Sequence, residues 1–256
     1  MFSQQVGALG HGNRKPFFVP KKVKFFEENG IKIKQIGAGL YHWVALSEDG
    51  NNIYTWGRGE YGVLGNGSNH YCLTPELNED FRLLKEEGIN PVKIDCADEY
   101  TAVLTDTGEV YAFGKNDRGQ LGVGTGIGID LLESCSSPTP VAFENGPESK
   151  IVDMYCGQGS MLLKDEEGNV WKTGLKLDYN PKKINLEVGK NDFNPEITNF
   201  ACGRRHYVLV NKDNQMLVWG NVFSEKSDIT VDGFNMYFGD SLFDGNKIKN
   251  LSMKYG

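Results

Sequence analysis

The first quarter of the chain contains a short pattern in which two apolar runs are separated by a polar turn. An apolar run from Trp43 to Leu46 is followed by a polar turn around Asp49-Gly50 and by a second apolar run from Ile53 to Trp56. Two such runs around a Gly-containing turn predict a β-hairpin. We therefore expect a pair of antiparallel strands here.

The same pattern is repeated three more times, over residues 94–122, 154–174 and 200–220. In the last copy Asn214 occupies the turn, and Asn is the other residue that tolerates a positive φ. Equivalent positions 39, 97, 157, 203 and 256 are spaced 46 to 60 residues apart. Self-similarity with this period is typical of propellers and repeat arrays.

The motifs within these copies resemble the regulator of chromosome condensation repeat family. The resemblance rests on Gly39 with His42 and a following apolar run, on Trp56-Gly57, and on the Gly-x-Leu-Gly segment 62–65. In that family each repeat is one blade of a β-propeller that normally has seven blades. The resemblance implies an all-β propeller of about five repeat equivalents, which is partial or open relative to seven blades.

The residues that recur in the motifs are expected to be structural. Each repeat should form a four-stranded antiparallel blade, with the aromatic residue before Gly buried between blades. The shared position of two histidines indicates a hydrogen bond from a strand start to a neighbouring loop. The predicted structural residues are Gly39, His42, Trp56, Gly57, Gly62, Gly65, Phe113, Gly114, Gly119, Gly122, Gly157, Gly203, His206, Trp219 and Gly220.

The repeat pattern is cut at both ends of the sequence. Residues 7–12 match residues 62–67, and residues 248–256 match the approach to Gly39. We therefore expect one domain over residues 1–256 that starts and ends inside a repeat. It would be either a segment of a longer propeller or an open arc whose strand edges another subunit covers, since bare edges promote aggregation.

Two segments between the copies carry other signals. Residues 13–34 are rich in Lys and Phe, and this composition fits either a solvated outer strand pair or a surface that binds RNA or an acidic protein. Residues 71–90 carry Thr74-Pro75 as a helix start, with Leu77, Phe81 and Leu84 at helical spacing. They predict an amphipathic helix of about three turns that packs on its blade or binds a partner.

The sequence offers little for catalysis, for cofactors or for metals. Residues 57–62 match Gly-x-Gly-x-x-Gly, but no helix is predicted after them, so the repeat explains these glycines better than a dinucleotide site does. Three of the five cysteines, Cys96, Cys156 and Cys202, share one repeat position, which favours small buried residues over metal ligands. We predict no catalytic residues, no cofactor and no metal site.

Charge and hydropathy narrow the choice of partners. A net charge of −7 argues against a general nucleic-acid binder, because affinity for phosphates needs clustered Lys and Arg. The sequence has no long apolar run and no signal peptide, so we expect a soluble cytoplasmic protein with no membrane insertion. A location in the nucleus or in an organelle is an open alternative.

Three functions are compatible with this sequence. The preferred one is a non-enzymatic protein-protein interaction scaffold that acts as a subunit or domain of a larger assembly. The second is guanine-nucleotide exchange on a small GTPase. The resemblance implies it, because the founding family member does this for Ran with a protruding β-wedge and with acidic and His side chains on one face. The third, chromatin binding, requires a basic tail or face, which this acidic chain lacks.

Overall fold

The computed structural model describes residues 7–124, 133–144, 146–147, 149–176, 178–186, 194–204 and 206–220, and the backbone of residues 236–238. The described strands form four antiparallel sheets of four strands each, and the strands of each sheet follow chain order. These sheets are the predicted propeller blades, so the all-β fold is confirmed. The predicted start of a further repeat at residues 248–256 lies outside the described residues.

The sheets are named blades 1 to 4. Blade 1 contains β1 (Ile33–Ala38), β2 (His42–Ser47), β3 (Ile53–Gly57) and β4 (Cys72–Leu77). Blade 2 contains β5 (Pro91–Cys96), β6 (Tyr100–Thr105), β7 (Val110–Lys115) and β8 (Ser134–Pro140). Blade 3 contains β9 (Ile151–Gly157), β10 (Ser160–Asp165), β11 (Val170–Gly174) and β12 (Asp178–Lys183). Blade 4 contains β13 (Ile197–Cys202), β14 (His206–Asn211), β15 (Met216–Gly220) and β16 (Met236–Phe238).

Successive blades pack face to face through apolar side chains. The second and third strands of blades 1 and 2 are buried almost throughout, which explains why they are continuous apolar runs rather than alternating ones. Val44, Leu46 and Ile53 of blade 1 form one cluster with Ile94 and Phe113 of blade 2. Equivalent clusters join blade 2 to blade 3 and blade 3 to blade 4, so the core lies between the sheets.

In three places a glycine-rich loop attaches one repeat to the outermost strand of the next blade. We call it the glycine loop, and it comprises residues 7–12, 62–67 and 119–124. The amide of its last glycine donates a hydrogen bond to a carbonyl oxygen near the start of the next outermost strand. The donor and acceptor pairs are Gly12 with Leu73 at 2.9 Å, Gly67 with Ser136 at 2.9 Å, and Gly124 with Tyr179 at 3.0 Å.

The loop requires glycine for two physical reasons. Its three glycines have left-handed φ values of 62° to 79° in all three copies, where an L side chain is strained. There is also no room for a side chain: a Cβ on Gly65 would lie 2.7 Å from the Phe113 ring, and one on Gly10 would lie 3.0 Å from Trp56 Nε1. The loop therefore covers the aromatic residue of the next β3-type strand.

The aromatic positions show where this cover is present. Trp56 and Phe113 are 3% and 0% exposed, as predicted, but Trp219 is only half-buried and stacks on Tyr207 at 4.9 Å between ring centroids. Gly174 is not followed by a Gly-x-Leu-Gly segment. Blade 4 therefore has no glycine loop of this sequence from the preceding repeat to cover Trp219.

The helix predicted over residues 71–90 is shorter than expected and starts later. Residues 72–77 form strand β4, and helix α2 spans Glu79–Glu86. Its N-cap is Asn78, whose side chain accepts a hydrogen bond from Phe81 N at 3.2 Å, so the predicted start at Thr74-Pro75 is wrong. The blade needs an outermost strand at this point, and proline is tolerated in such an edge strand. Phe81 is buried as expected.

The outer strand pair predicted over residues 13–34 is also wrong. This segment holds the short helix α1 (Lys24–Glu28), and strand structure starts only at Ile33. Phe25 and Phe26 pack on the apolar cluster around Tyr54 and Trp56. Phe25 and Phe26 thus pack on blade 1, while Phe18 and the lysines of the segment are exposed.

Replacement of a loop glycine should destabilise the protein more than replacement of an uncrowded one. Gly62→Ala introduces a Cβ that overlaps the Cα of Ser136, whereas Gly88, at φ 85°, has no heavy atom within 4 Å of the same position. Both Gly62→Ala and the control Gly88→Ala incur the strain of a left-handed backbone, about 1–2 kcal/mol. Overpacking should add about 1–3 kcal/mol for Gly62→Ala alone. Urea unfolding of both variants measures the difference, and equal losses would contradict the packing role.

Candidate interaction face

Two sets of loops lie at the same end of the blades, because antiparallel strands in chain order return to that end after every second strand. We call this end the loop face. It comprises the turns between first and second strands and the loops between third and fourth strands. Its described residues are 39–41, 58–71, 97–99, 116–124, 133, 158–159, 175–176 and 203–204.

The two sets of loops are joined by a backbone hydrogen bond that recurs in three blades. The amide after the third-strand glycine donates to the carbonyl oxygen of the turn. The pairs are Arg58 with Tyr41 at 2.9 Å, Lys115 with Glu99 at 2.8 Å, and Leu175 with Gly159 at 2.8 Å. Gly57 and Gly114 both have φ 110°, and a Cβ on either glycine would overlap the turn between the first two strands of its own blade. Gly220, at φ 118°, holds this position in blade 4.

The turn glycines make room for the side chain at the histidine position. A Cβ on Gly39 would overlap the His42 ring, and one on Gly203 would lie 2.6 Å from the His206 ring. Gly157 packs against blade 4 instead, where a Cβ would lie 2.6 Å from the carbonyl oxygen of Gly203. The glycine and the histidine of the motif are therefore one packing unit.

His42 connects two blades. It is 1% exposed, and its Nε2 lies 3.0 Å from Thr101 Oγ1 of blade 2. Tyr100 holds the same repeat position in blade 2, and its hydroxyl donates to the carbonyl oxygen of Ser160 in blade 3 at 2.7 Å. Burial lowers the pKa of His42 to about 4, so its ring is neutral at pH 7. His206 is only half-buried, so the two histidines do not share one environment.

Aromatic side chains contact charged side chains on the outer part of the loop face. Tyr61 and Tyr71 are exposed, and Tyr61 has a left-handed φ of 60°. The Lys115 ammonium lies 4.8 Å from the Tyr61 ring centroid and 2.7 Å from a Glu99 carboxylate oxygen. Tyr71 donates a hydrogen bond to Glu60 at 3.1 Å. The aromatic rings are thus held by fixed charged neighbours.

The inner part of the loop face joins three blades. Leu40 of blade 1 is exposed, and its amide donates to the carbonyl oxygen of Asp98 in blade 2 at 2.9 Å. The Asp98 carboxylate accepts a hydrogen bond from the side-chain amide of Gln158 in blade 3. Partial burial raises the pKa of Asp98. These contacts fix the relative positions of exposed groups on different blades.

A cavity of about 950 Å³ lies at the opposite end, between blades 3 and 4. Its wall includes Asp165, whose carboxylate already accepts hydrogen bonds from Trp171 Nε1 at 2.9 Å and from the Asn169 side chain at 3.0 Å. Within the described ranges, no group of three or more His, Cys, Asp or Glu side chains could hold a metal ion. None of the helices described is long and apolar enough to cross a membrane.

Comparison with known proteins accounts for this arrangement. The family model described as the regulator of chromosome condensation (RCC1) repeat matches residues 3–46, 51–104 and 107–163. The chain belongs to this family. The ranges 51–104 and 107–163 each hold the last two strands of one blade and the first strands of the next, joined by a linker.

Similar family members span a range of larger proteins. Human E3 ubiquitin-protein ligase HERC2 is 30% identical over 228 residues, which cover 84% of this chain and 4% of that protein. The ultraviolet-B receptor UVR8 of Arabidopsis thaliana is 30% identical over 225 residues, covering 84% of this chain and 46% of UVR8. The chain thus spans less than half the length of these curated relatives.

One solved structure is similar in both fold and sequence. Prp20p from Saccharomyces cerevisiae has 25% identity and a TM-score of 0.63, over 86% of this chain and 52% of its own. That structure was described together with the binding properties of Prp20p to Gsp1p and histones. Human WBSCR16, at 21% identity and a TM-score of 0.60 over 73% of this chain and 47% of its own, shares the fold.

Sequence reasoning missed two groups of residues in whole or in part. One is a phenylalanine in each of three linkers, of which only Phe81 was expected to be buried. Each packs edge-on against the next blade: Phe26 on Tyr54, Phe81 on Tyr111 and Phe143 on Trp171. Their signal was their position 13 to 16 residues before the equivalent positions 39, 97 and 157. The other group is the exposed side chains of the loop face, which do not repeat between copies and so leave no periodic signal.

The burial of His42 predicts a pH-dependent contribution to stability. Because its pKa is lowered to about 4 in the folded protein, the unfolded chain binds a proton first as pH falls below its ordinary value of 6.5. The contribution of the neutral, buried His42 ring to the free energy of unfolding is therefore complete above pH 6.5. As the pH falls from 6.5 towards 4, this contribution is lost at roughly 1.4 kcal/mol per pH unit. Wild type should therefore exceed His42→Gln in free energy of unfolding by more at pH 7 than at pH 5. Denaturant titrations at both pH values test this, and a constant gap would contradict it.

Proposed function

We propose that this chain is a non-enzymatic protein-protein interaction scaffold, acting as a subunit or domain of a larger assembly through its loop face. The observation that carries the proposal is the exposed set Leu40, Tyr61 and Tyr71. Arg58 lies in the same loop as the two tyrosines, and the Lys115 ammonium lies 4.8 Å from the Tyr61 ring centroid. Tyrosine and arginine are enriched among residues that dominate binding energy at protein interfaces, and charged groups are typical of the rim.

The preorganised backbone supports this use. Backbone hydrogen bonds hold the loops of three blades, and polar contacts join Leu40, Asp98 and Gln158 across blades. A surface that is already ordered loses less conformational entropy when a partner binds. Loops held by a rigid scaffold are also where binding residues concentrate.

The relatives support a binding role without fixing the partner. Their names include a ubiquitin ligase and an ultraviolet-B receptor, and Prp20p was studied for binding to Gsp1p and histones. One fold that serves such different proteins must carry specificity in its loops. The exposed loop residues of this chain would then select a partner of its own.

The loop-face proposal can be tested by affinity capture with full-length chain and matched variants. Leu40→Glu combined with Tyr61→Glu should lower the recovery of specific partners at least about 30-fold, as loss of a hot spot does. Leu83→Glu is the control, because Leu83 is equally exposed but lies on helix α2 at the opposite end. Unchanged melting temperatures establish that all variants fold. Partners that persist in the loop-face variant and disappear in the control would contradict the proposal.

A second candidate function is guanine-nucleotide exchange on a small GTPase. The binding of Prp20p to Gsp1p favours it, together with the acidic pair Asp98 and Glu99 on the loop face. Against it, every strand in the described ranges belongs to one of the four blades, so this part of the chain contains no protruding β-wedge.

A nucleotide-release assay separates the two functions. With catalytic amounts of the chain, release of fluorescent GDP from Ran-type and other small GTPases should stay at the intrinsic rate. Acceleration that Asp98→Asn abolishes would favour the exchange function over the scaffold.

A further inference from the structure

Two arginines of the loop face flank one turn of blade 3, the turn between β9 and β10. Arg118, from the loop after β7 of blade 2, packs over this turn: a Cβ on Gly159 would lie 2.8 Å from Arg118 Cδ and 3.3 Å from Arg118 Nη1. On the other side, a Cβ on Gly157 would lie 2.6 Å from the carbonyl oxygen of Gly203 in blade 4. Arg204 follows Gly203 directly, so it lies next to the same turn.

Lys176 adds a third cation from blade 3 itself. Its amide donates to the carbonyl oxygen of Arg118 at 2.8 Å, and the amide of the preceding Leu175 donates to the carbonyl oxygen of Gly159 at 2.8 Å. Lys176 and Arg204 are exposed, and Arg118 is half-buried. We call Arg118, Lys176 and Arg204 the cationic cluster. Main-chain hydrogen bonds thus hold two of its loops on the turn.

The cationic cluster differs from the other cations of the loop face in having no counter-ion. Arg58 is paired with Glu60, and the Lys115 ammonium lies 2.7 Å from a Glu99 carboxylate oxygen. Within the part of the chain that the structure describes, none of the three side chains in the cluster has an ion pair or a hydrogen bond. Positive charge therefore accumulates at the blade 3 side of the loop face and is neutralised elsewhere on it.

One carboxylate senses two members of the cluster without neutralising them. Burial raises the pKa of Asp98, and the positive charges of Arg204 and Arg118 partly oppose that rise. The Asp98 carboxylate accepts its hydrogen bond from the side-chain amide of Gln158 instead of from either guanidinium. Arg118 and Arg204 are thus close enough to act on a single carboxylate, and both guanidinium groups are open to another one.

We propose that the cationic cluster binds an acidic segment of the partner protein, whose carboxylates serve as its counter-ions. This inference rests on the proposed function, because it names the chemistry that the same loop face recognises. The segment pairs with Arg118 and Arg204 on the two sides of the turn, and Lys176 contributes a third charge.

The chemistry of the cluster favours this partner over other anions. A guanidinium pairs with a carboxylate through two parallel hydrogen bonds, which gives geometric selectivity as well as attraction. The cations come from three separate loops, so they match charges on several residues of a chain better than one compact anion. A nucleic-acid strand is disfavoured, because Asp98 and Asp117 border the cluster and the chain has a net charge of −7. The same acidic surroundings restrict an acidic partner to the cluster.

Fluorescence anisotropy with labelled peptides tests the proposal on the full chain. The probe is a peptide of alternating Asp and Ser, and the comparison probes are Asn-Ser and Lys-Ser peptides of the same length. At low salt the Asp-Ser peptide should bind at least about tenfold more tightly than the Asn-Ser peptide, and added salt should reduce the difference. Equal binding of these two peptides would overturn the proposal.

Three double variants locate the binding. Arg118→Glu with Arg204→Glu should abolish the preference for the Asp-Ser peptide and create one for the Lys-Ser peptide. Arg118→Gln with Arg204→Gln keeps part of the packing on Gly159 and should remove the preference at an unchanged melting temperature. The control, Lys34→Glu with Lys183→Glu, makes the same change in net charge at exposed positions away from the loop face. An equal loss in this control would overturn the proposal, since net charge alone would then explain the binding.

Affinity capture separates this inference from the proposed function. Partners that Leu40→Glu with Tyr61→Glu removes should also be lost from Arg118→Gln with Arg204→Gln, with or without phosphatase and nuclease treatment of the extract. Partners lost only from the Leu40 and Tyr61 variant would leave the scaffold proposal standing and overturn this one. Recovery that depends on phosphate or on nucleic acid would also overturn it. Partners retained by both variants would contradict the scaffold proposal itself.

Discussion

The architecture depends on one repeated interaction, the hydrogen bond from the last glycine of a glycine loop to the outermost strand of the following blade. Gly12, Gly67 and Gly124 make it at 2.9 to 3.0 Å. The bond requires three left-handed glycines and a loop that fits against the next blade without side chains. Because it always joins neighbours in sequence, stability should be close to a sum of blades and nearest-neighbour interfaces.

The same constraint explains the loop face. Once each glycine loop is fixed on the next blade, the loops between third and fourth strands cannot move independently of the turns beside them. Arg58 and Lys115 donate their amides to those turns, which places Tyr61 and the surrounding charges on a rigid base. Function can then vary through exposed side chains while the buried repeat stays the same. Where the glycine loop is absent, the aromatic residue is less well covered: the third strand of blade 3 is not followed by a Gly-x-Leu-Gly segment, and Trp219 of blade 4 is only half-buried.

The sequence was sufficient for the fold, because turn glycines and buried apolar runs recur with a period that only a repeat explains. It was insufficient where a tertiary requirement overrides a local signal. Thr74-Pro75 is a good local helix start, but the blade needs an outermost strand there, and Asn78 became the cap. The loop face was beyond sequence reasoning for a different reason. Leu40 and Tyr61 of blade 1 and Asp98 of blade 2 lie in separate loops, and their side chains do not recur from copy to copy, so only the folded chain places them on one surface.

The central claim is that the glycine-loop hydrogen bond joins one blade to the next, and amide hydrogen exchange of the loop glycines tests it most directly. Gly30 is the internal control, because its amide donates to the carbonyl oxygen of Glu27 within a single local turn. If the bond joins blades, the amides of Gly67 and Gly124 should exchange as slowly as those of the buried strands, through near-global unfolding, while Gly30 exchanges fast. Exchange of Gly67 and Gly124 at the rate of Gly30 would contradict the account.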